Sequence, residues 1–237
     1  MKILAFDTST HSCSVAVSNG NLLVQKENTD PKKHAETLLP LIRESLNGAH
    51  LSFRQIDGIA FGEGPGPFTS LRIAAATAQA ISLSHAVNVY PIDSMAALAM
   101  KGRRLSSVTR TSSNFLVATD ARRGEVYYAA FKFDASGQLQ KMNKTILTTP
   151  SKIEIELDGT WIRVGNAWEM YKNSFKKELL SLPILQSHLP EASDLIDIAA
   201  RQIADDSGKD ASKALPVYLR EAAQSQSAGG QPDIRPD

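Results

Sequence analysis

The segment FDTSTHSCSVAV (residues 6–17) decides the fold, because TDARRGEVYYAAF (residues 119–131) repeats its pattern later in the chain. Each stretch places an aspartate, Asp7 or Asp120, at the end of an apolar strand, followed by a polar turn and a second strand. This repetition predicts two related halves. The aspartates either cap their own turns or point from two facing lobes into a shared cleft, and both interpretations stay open at this point.

The residues around the first aspartate predict the element order βββαβαβα. The pair Asn19-Gly20 marks a tight hairpin, because both central residues of such a turn adopt positive φ. Apolar residues recur every three to four positions from Ala35 to Leu46, which predicts a helix, and Pro40 predicts either a kink or a helix start near it. The predicted elements are strands 3–6, 13–18, 22–27, 56–61 and 87–92, and helices 34–47, 69–83 and 94–100.

The second half predicts a similar series of elements. They are strands 115–119, 125–133, 141–148 and 161–164, a helix after residues 165–167, and a helix over 194–204 that Ser193 caps. We therefore expect an α/β protein with the actin-like ATPase (ribonuclease H-like) fold, in which each of two lobes has a mixed sheet flanked by helices. The predicted division is an N-terminal lobe over 1–104, a smaller lobe over 105–221 that begins with a polar linker (105–114), and a disordered tail over 222–237.

Composition excludes several classes of function. The 237 residues carry a net charge of +1, which argues against a strongly basic nucleic-acid-binding protein. Cys13 is the sole cysteine, so no internal disulfide can form. The longest late apolar run, residues 95–100, is far shorter than the roughly 18 residues of a membrane span. We expect a cytoplasmic protein without a membrane anchor.

The glycine-rich stretch GEGPGPFTSLR (residues 62–72) does not match a phosphate-binding loop. A P-loop requires a lysine after its last glycine, and Pro67 stands there. Pro65 and Pro67 also each remove a backbone N–H donor, on which phosphate cradles depend. The sequence therefore predicts a stiff turn that starts a helix capped by Thr69 or Ser70, with a helix N-terminus that can attract an anion.

No catalytic constellation is evident. His34 is followed four residues later by Leu38, so the histidine pair of a helical zinc site is absent from the sequence there. No G-x-S-x-G motif supports a serine hydrolase. Arg122 and Arg123 form either a solvated hairpin tip or a surface for a phosphate or an acidic partner. The alanine-rich helix over 69–83 packs either inside its own domain or against another chain.

Five motifs together resemble the TsaB (YeaZ) family, and the resemblance spans about residues 1–220. They occur in order: ILAFDTSTHSCSVAV (3–17), HAETLLPLI (34–42), GPGPFTSLRIA (64–74), DARRGEVY (120–127) and PVYLR (216–220). The resemblance implies a non-catalytic subunit that serves in making N6-threonylcarbamoyladenosine on tRNA. It implies pairing with TsaD, the transferase, whose metal-binding helix has two histidines where this chain keeps only His34.

The resemblance also implies partners and sites. TsaD is the expected heterodimer partner, the ATPase TsaE joins the assembly, and the chain alone is expected to form a homodimer, with tRNA contacted through the complex. The expected partner interface uses the first two helices, at Glu36, Leu38, Leu39, Ile42, Leu71, Arg72, Ala75, Ala78 and Gln79. The sequence departs from the family pattern at Pro67, Ser70 and Ala74, which puts the details of partner docking in question.

Two alternatives belong to other classes. A stand-alone ATPase or kinase would use Asp7, Thr8, Ser9 and Asp120 around ATP and magnesium. In the TsaB interpretation the same residues form at most a weak, vestigial nucleotide site. In that case ATP or ADP with magnesium binds weakly, at the interface of the complex. A peptidase is the other alternative, and the missing metal-binding histidine argues against it.

Overall fold

The computed structural model describes residues 1–30, 33–106, 113–134, 136–156, 158–185 and 188–220. The first lobe contains one five-stranded sheet with the strand order β3-β2-β1-β4-β5. Its elements are β1 (Lys2–Asp7), β2 (Cys13–Asn19), β3 (Leu22–Asn28), α1 (His34–Gly48), β4 (Gly58–Gly64), α2 (Phe68–His85), β5 (Val89–Asp93) and α3 (Ser94–Leu105). The first three strands form the predicted antiparallel meander, and β4 and β5 run parallel to β1.

The second half of the chain repeats this strand arrangement and includes two four-residue helices. Its elements are β6 (Ser113–Asp120), β7 (Val126–Phe133), β8 (Leu139–Lys141), β9 (Ile146–Thr148), β10 (Thr160–Val164), α4 (Ala167–Met170), α5 (Lys177–Leu180), β11 (Ile184–Leu185) and α6 (Ala192–Ala204). The strand order is β11-β10-β6-β7-β8, with β9 also paired to β7. β6 therefore occupies the place of β1, and β10 and β11 those of β4 and β5. The predicted actin-like fold class with two related mixed sheets is confirmed.

The helices cover both faces of the first sheet. α1 and α2 pack on one face, where Leu38, Ile42 and Ala78 join the buried core. α6 packs on the other face, where Leu195 and Ala199 contact the side chains of β1 and β2. The chain thus returns to the first lobe after completing the second, a return that is not part of the predicted division at residues 104 and 105.

α1 begins at His34, as predicted, so Pro40 lies inside the helix and the alternative of a helix start near Pro40 is wrong. Two other predicted helix starts are wrong. α2 begins at Phe68 with Pro67 in the cap position and no side-chain cap, so the predicted capping by Thr69 or Ser70 is wrong. The helix predicted from residue 194 begins at Ala192. There Glu191 forms a reciprocal capping box with Asp194, so Ser193 is not the cap.

The predicted strand over 141–148 is also wrong, because the structure has two short strands, β8 and β9, that both pair with β7. Between them the side chain of Asn143 accepts a hydrogen bond from the Ala130 amide at 2.6 Å, taking the place of a backbone partner. The predicted helix after residue 165 is the four-residue α4.

Two predictions concern, in large part or entirely, residues that the structure does not describe. Residues 107–112 of the predicted linker and the predicted tail lie outside the described residues. In the described part of the chain, no helix has the length and apolar character that crossing a membrane requires.

Candidate functional site

Asp7 ends β1, and its carboxylate is occupied by internal hydrogen bonds. Its Oδ1 accepts from the amide and hydroxyl of Ser9 at 2.8 and 2.7 Å, and its Oδ2 accepts from the Ser94 hydroxyl at 2.8 Å. The residue is 1% exposed. Burial raises the pKa of the Asp7 carboxyl, while the bonds from Ser9 and Ser94 oppose that rise. The carboxylate therefore faces the protein rather than the cleft.

The glycine-rich loop closes over the turn that follows Asp7. A Cβ at Gly66 would lie 2.3 Å from the Ser9 carbonyl oxygen, and a Cβ at Gly62 would lie 1.9 Å from Asp7 Oδ2. The hydroxyl of Thr8, itself buried, donates to the Ser70 carbonyl at 2.6 Å, at the start of α2. Glycine is required at both positions because a Cβ there would clash with Asp7 or Ser9.

His34 is buried beneath the same loop, and both of its ring nitrogens are in use. Nε2 lies 3.1 Å from the His11 carbonyl oxygen and Nδ1 lies 3.2 Å from the Ser70 hydroxyl. A carbonyl oxygen can only accept, so we assign the proton to Nε2 and the acceptor role to Nδ1. Leu38, one turn later, is buried in the core. Among the described residues no group of three His, Cys, Asp or Glu side chains could hold a metal ion.

Asp120 ends β6 and caps the second turn. Its Oδ1 accepts from the Arg122 amide and from the Tyr171 hydroxyl, each at 2.7 Å. Arg122 Nε lies 3.6 Å from Oδ2, but the arginine side chain is largely exposed. Arg122 and Arg123 have φ values of 65° and 58°, the left-handed region that a tight turn before Gly124 requires. The turn-capping interpretation thus describes the contacts of both aspartates.

Cavities of different size lie between the two lobes. The cavity bounded by the β1–β2 turn, the glycine-rich loop, Asp120 and Asn166 has a volume of about 50 Å³, whereas pockets for drug-sized ligands measure about 300–1,000 Å³. A nucleotide does not fit there. A cavity of about 520 Å³ lies outside the loop, where Arg122, Arg123 and Arg220 stand beside Tyr218 and Phe68. Its lining combines cations with aromatic rings.

The nine residues predicted to form the partner interface divide into two groups. Five are core residues of the first lobe, because the apolar faces of α1 and α2 turn toward the sheet: Leu38, Ile42, Leu71, Ala75 and Ala78. Their side chains are not available at the surface. The other four are at least partly exposed: Glu36, Leu39, Arg72 and Gln79. Gln79 donates to the Ala214 carbonyl at 3.0 Å, and Arg72 Nε donates to the Tyr218 hydroxyl at 3.0 Å.

Sequence reasoning missed the outward face of α2. Ala76, Ala80 and Leu83 are exposed there, and Leu83 is 77% exposed, the largest value among the exposed large apolar side chains. The signal was present, because residues 76, 80 and 83 follow the spacing of one helix face, opposite residues 71, 75 and 78. Either stripe could have faced the sheet, and the sequence pattern alone did not say which.

Comparisons with known proteins place the chain among tRNA-modification proteins. A family model described as "TsaD: tRNA N6-adenosine threonylcarbamoyltransferase" matches residues 25–232. The chain is 31% identical over 223 residues to the tRNA threonylcarbamoyladenosine biosynthesis protein TsaB of Escherichia coli K12, covering 93% of this chain and 95% of that protein. The Haemophilus influenzae TsaB is 29% identical over 229 residues, 93% of this chain and 94% of that one. The solved structure of YeaZ from Pseudomonas aeruginosa matches with a TM-score of 0.83 at 31% identity, over 92% of this chain and 99% of that chain.

Proposed function

The chain belongs to the TsaB family, and from this premise we propose that it is a non-catalytic subunit of the machinery that forms N6-threonylcarbamoyladenosine next to the anticodon of tRNA. In this role it binds the TsaD transferase and supports its active form. TsaE joins the complex, tRNA is contacted through the complex, and the chain alone forms a homodimer. The site of action is the cytoplasm.

The observation that carries the non-catalytic part of the proposal is the closed first turn. The Asp7 carboxylate accepts three internal hydrogen bonds, and both His34 nitrogens are used by protein groups. A metal-dependent phosphoryl transfer needs a carboxylate free to reach the metal and a cleft that admits the nucleotide. The Asp7 carboxylate is not free to reach a metal, and the cavity of about 50 Å³ beside its turn does not admit a nucleotide.

The outward faces of α1 and α2 supply the proposed TsaD interface. Ala76 and Ala80 let another backbone approach closely, and Leu39 and Leu83, 47% and 77% exposed, provide apolar surface to bury. The exposed predicted residues Glu36 and Arg72, with the partly exposed Gln79, lie on the same two helices and suit a polar rim.

We further propose that nucleotide binding, when it occurs, is weak and takes place at the interface with TsaD. The cavity of about 520 Å³ beside Arg122, Arg123 and Arg220 adjoins the start of α2, which belongs to the proposed interface. Arginine side chains bind phosphate oxygens through paired N–H donors, and aromatic rings can stack on a base. Calorimetric titration with ADP, for the chain alone and for its mixture with TsaD, tests this placement.

The complex itself is tested by mixing the chain with TsaD and measuring mass by size-exclusion chromatography with light scattering. We expect a one-to-one complex that Ala76→Arg abolishes and that the control Asn173→Arg, an exposed site on the second lobe, leaves intact. The same samples are assayed for TsaD-dependent modification of tRNA. Absence of a complex with the unmodified chain would contradict the proposal.

A parallel assay tests the alternative function, a stand-alone ATPase. The isolated chain is incubated with ATP and magnesium, and we expect no hydrolysis above background. Robust turnover that disappears in Asp7→Asn would instead support a stand-alone ATPase. Because Asp7 is buried, circular dichroism of Asp7→Asn must match the unmodified chain before its loss of turnover is interpreted.

A further inference from the structure

We propose that the two lobes are fastened into one rigid unit by polar ties at three places along their seam, so that the cleft between them does not open and close. This inference goes beyond the proposed function, because it concerns the isolated chain and its test needs no partner. Lobes of one chain move relative to each other by default, unless the interface between them is large and apolar or otherwise constrained.

Helix α3 supplies the apolar part of the seam. Met95, Leu98 and Ala99 belong to the buried core of the second lobe, whereas Ala97 packs into the core of the first lobe beside Leu195. A helix whose opposite faces are buried in two different cores cannot swing with one lobe alone, because a hinge motion would expose one of those faces to water.

The first tie is formed at Gly137, between β7 and β8. Arg103 of α3 and Arg201 of α6 both donate to the Gly137 carbonyl, and the Arg201 bond measures 3.1 Å. The Arg103 guanidinium also lies 4.4 Å from the centre of the Phe133 ring. Gly137 has a φ of 79°, and a Cβ there would lie 2.5 Å from an Arg103 nitrogen. Glycine at this position thus permits both the turn and the approach of the arginine.

The second tie joins Asp93 and Lys141, which form an ion pair between β5 and β8. The same aspartate accepts from the Met95 amide at 2.8 Å, so it also holds the first turn of α3. Because each Asp93 oxygen is engaged by a different element, a movement of the second lobe away from the first would have to break the ion pair.

The third tie is made by the segment that ends the described chain. The Val217 amide donates to the Glu63 carbonyl of the first lobe at 2.7 Å. Three residues later, Arg220 donates to the Ala121 carbonyl at 3.1 Å and pairs with Glu125 of the second lobe. This segment spans the seam beside the glycine-rich loop, while the ties at Gly137 and Lys141 involve the β7–β8 region, so contacts at separate places along the seam constrain rotation.

Electron–electron double resonance on the full chain tests the rigidity, with spin labels at Arg54→Cys in the first lobe and Asn173→Cys in the second. Both sites are exposed, whereas Cys13 is buried and its thiol pKa is raised to about 11, so it stays protonated and unlabelled near pH 7. Dilution with unlabelled chain removes distances between copies. We expect one narrow distance distribution that magnesium and ATP do not change, and a distribution at least twofold wider after Arg103→Ala with Arg201→Ala.

The control is Arg43→Ala with Lys152→Ala, which removes two exposed cations from sites without a described contact across the seam. If the double arginine variant does not fold by circular dichroism, Gly137→Ala and Arg220→Ala are measured in its place, with the same expected broadening. Two resolved distances in the unmodified chain, a shift on adding ATP, or an unchanged width in folded tie variants would each overturn the proposal.

Discussion

The turns after β1 and β6 come from the same local pattern, but only the aspartate of the first is buried away from the cavities beside the turns. Asp7 is buried and accepts bonds from Ser9 and Ser94, whereas Asp120 lies at the edge of two cavities and shares its turn with the exposed Arg122. An aspartate at a strand end therefore does not decide by itself whether a turn is accessible.

The difference arises from the segment that follows the fourth strand of each sheet. After β4 come the glycine-rich loop and the 18-residue α2, whose first turn receives the hydrogen bond from Thr8. After β10 come Gly165, Asn166 and the four-residue α4, where Asn166 and Tyr171 bond Asp120 but leave Arg122 and Arg123 exposed. Both turns keep an aspartate, so the burial of the first depends on the segment that covers it and not on the absence of an acidic residue.

The largest expected effect on the free energy of unfolding comes from comparing substitutions on the buried and exposed faces of α2, the helix that covers the first turn. Ala75→Arg would place a charge in the core, where Ala75 is 4% exposed, and we expect a loss of about 4 kcal/mol or more in the free energy of unfolding. Ala76→Arg lies on the exposed face, and we expect a change within about 0.5 kcal/mol. Urea unfolding measures both. Equal losses in the two variants would show that the faces of α2 are assigned incorrectly.

A second prediction compares a glycine in the segment that covers the first turn with a glycine in the second turn. Gly62→Ala would bring a methyl group to 1.9 Å from Asp7 Oδ2, and we expect it to lower the free energy of unfolding by about 3 kcal/mol. In the second turn a Cβ at Gly124 meets nothing within 4 Å, and only its φ of 77° opposes substitution, so Gly124→Ala should lower it by about 1 kcal/mol. The urea midpoints of both variants decide this. A smaller loss for Gly62→Ala than for Gly124→Ala would mean that the loop moves aside readily.

The sequence was sufficient to predict the repeat, a hairpin between β2 and β3 and the strand-end positions of both aspartates. Those features depend on local alternation and turn chemistry, which neighbouring residues determine. It was also sufficient to predict that the glycine-rich loop leads into a helix. The turn of the hairpin is Gly20-Asn21 rather than Asn19-Gly20, because Asn19 pairs with Leu22 and has no positive φ.

The sequence was not sufficient to predict features that depend on packing between distant segments of the chain. Alanine fits a core as well as a surface, so the placement of Ala75 inside and Ala76 outside depends on the sheet beneath α2. The return of α6 to the first lobe and the cover over Asp7 depend on contacts such as the one between Ser94 and Asp7, 87 residues apart. Local periodicity carries no information on either.

The buried aspartate also predicts a pH dependence. Burial raises the pKa of Asp7 in the folded state above its ordinary value near 4, so the folded state binds that proton more tightly than the unfolded chain. The resulting contribution to stability is fully present below the ordinary value and is lost as pH rises through the raised pKa. We therefore expect the difference in unfolding free energy between the unmodified chain and Asp7→Asn to fall with rising pH.

The matched control has the opposite sign. Hydrogen bonds from Ser136 and Gln138 lower the pKa of Asp134, so its contribution is present above its ordinary value and is lost as pH falls. Urea unfolding of Asp134→Asn beside Asp7→Asn, over the same pH series, separates the two directions. A difference for Asp7→Asn that rises with pH would mean that its hydrogen bonds outweigh its burial.

The smallest expected effect on stability belongs to the second turn. Arg123→Ala keeps a side chain at a φ of 58° and removes an exposed guanidinium, so we expect the free energy of unfolding to change by no more than about 0.5 kcal/mol. The same substitution should weaken ADP binding by the complex with TsaD severalfold, because the lost guanidinium lines the cavity proposed for the phosphates. The control is Arg54→Ala, which removes an exposed arginine of the first lobe. It should change neither the free energy of unfolding nor the affinity for ADP. If calorimetry finds the same ADP affinity for Arg123→Ala as for the unmodified chain, the second turn is not where the complex holds its nucleotide.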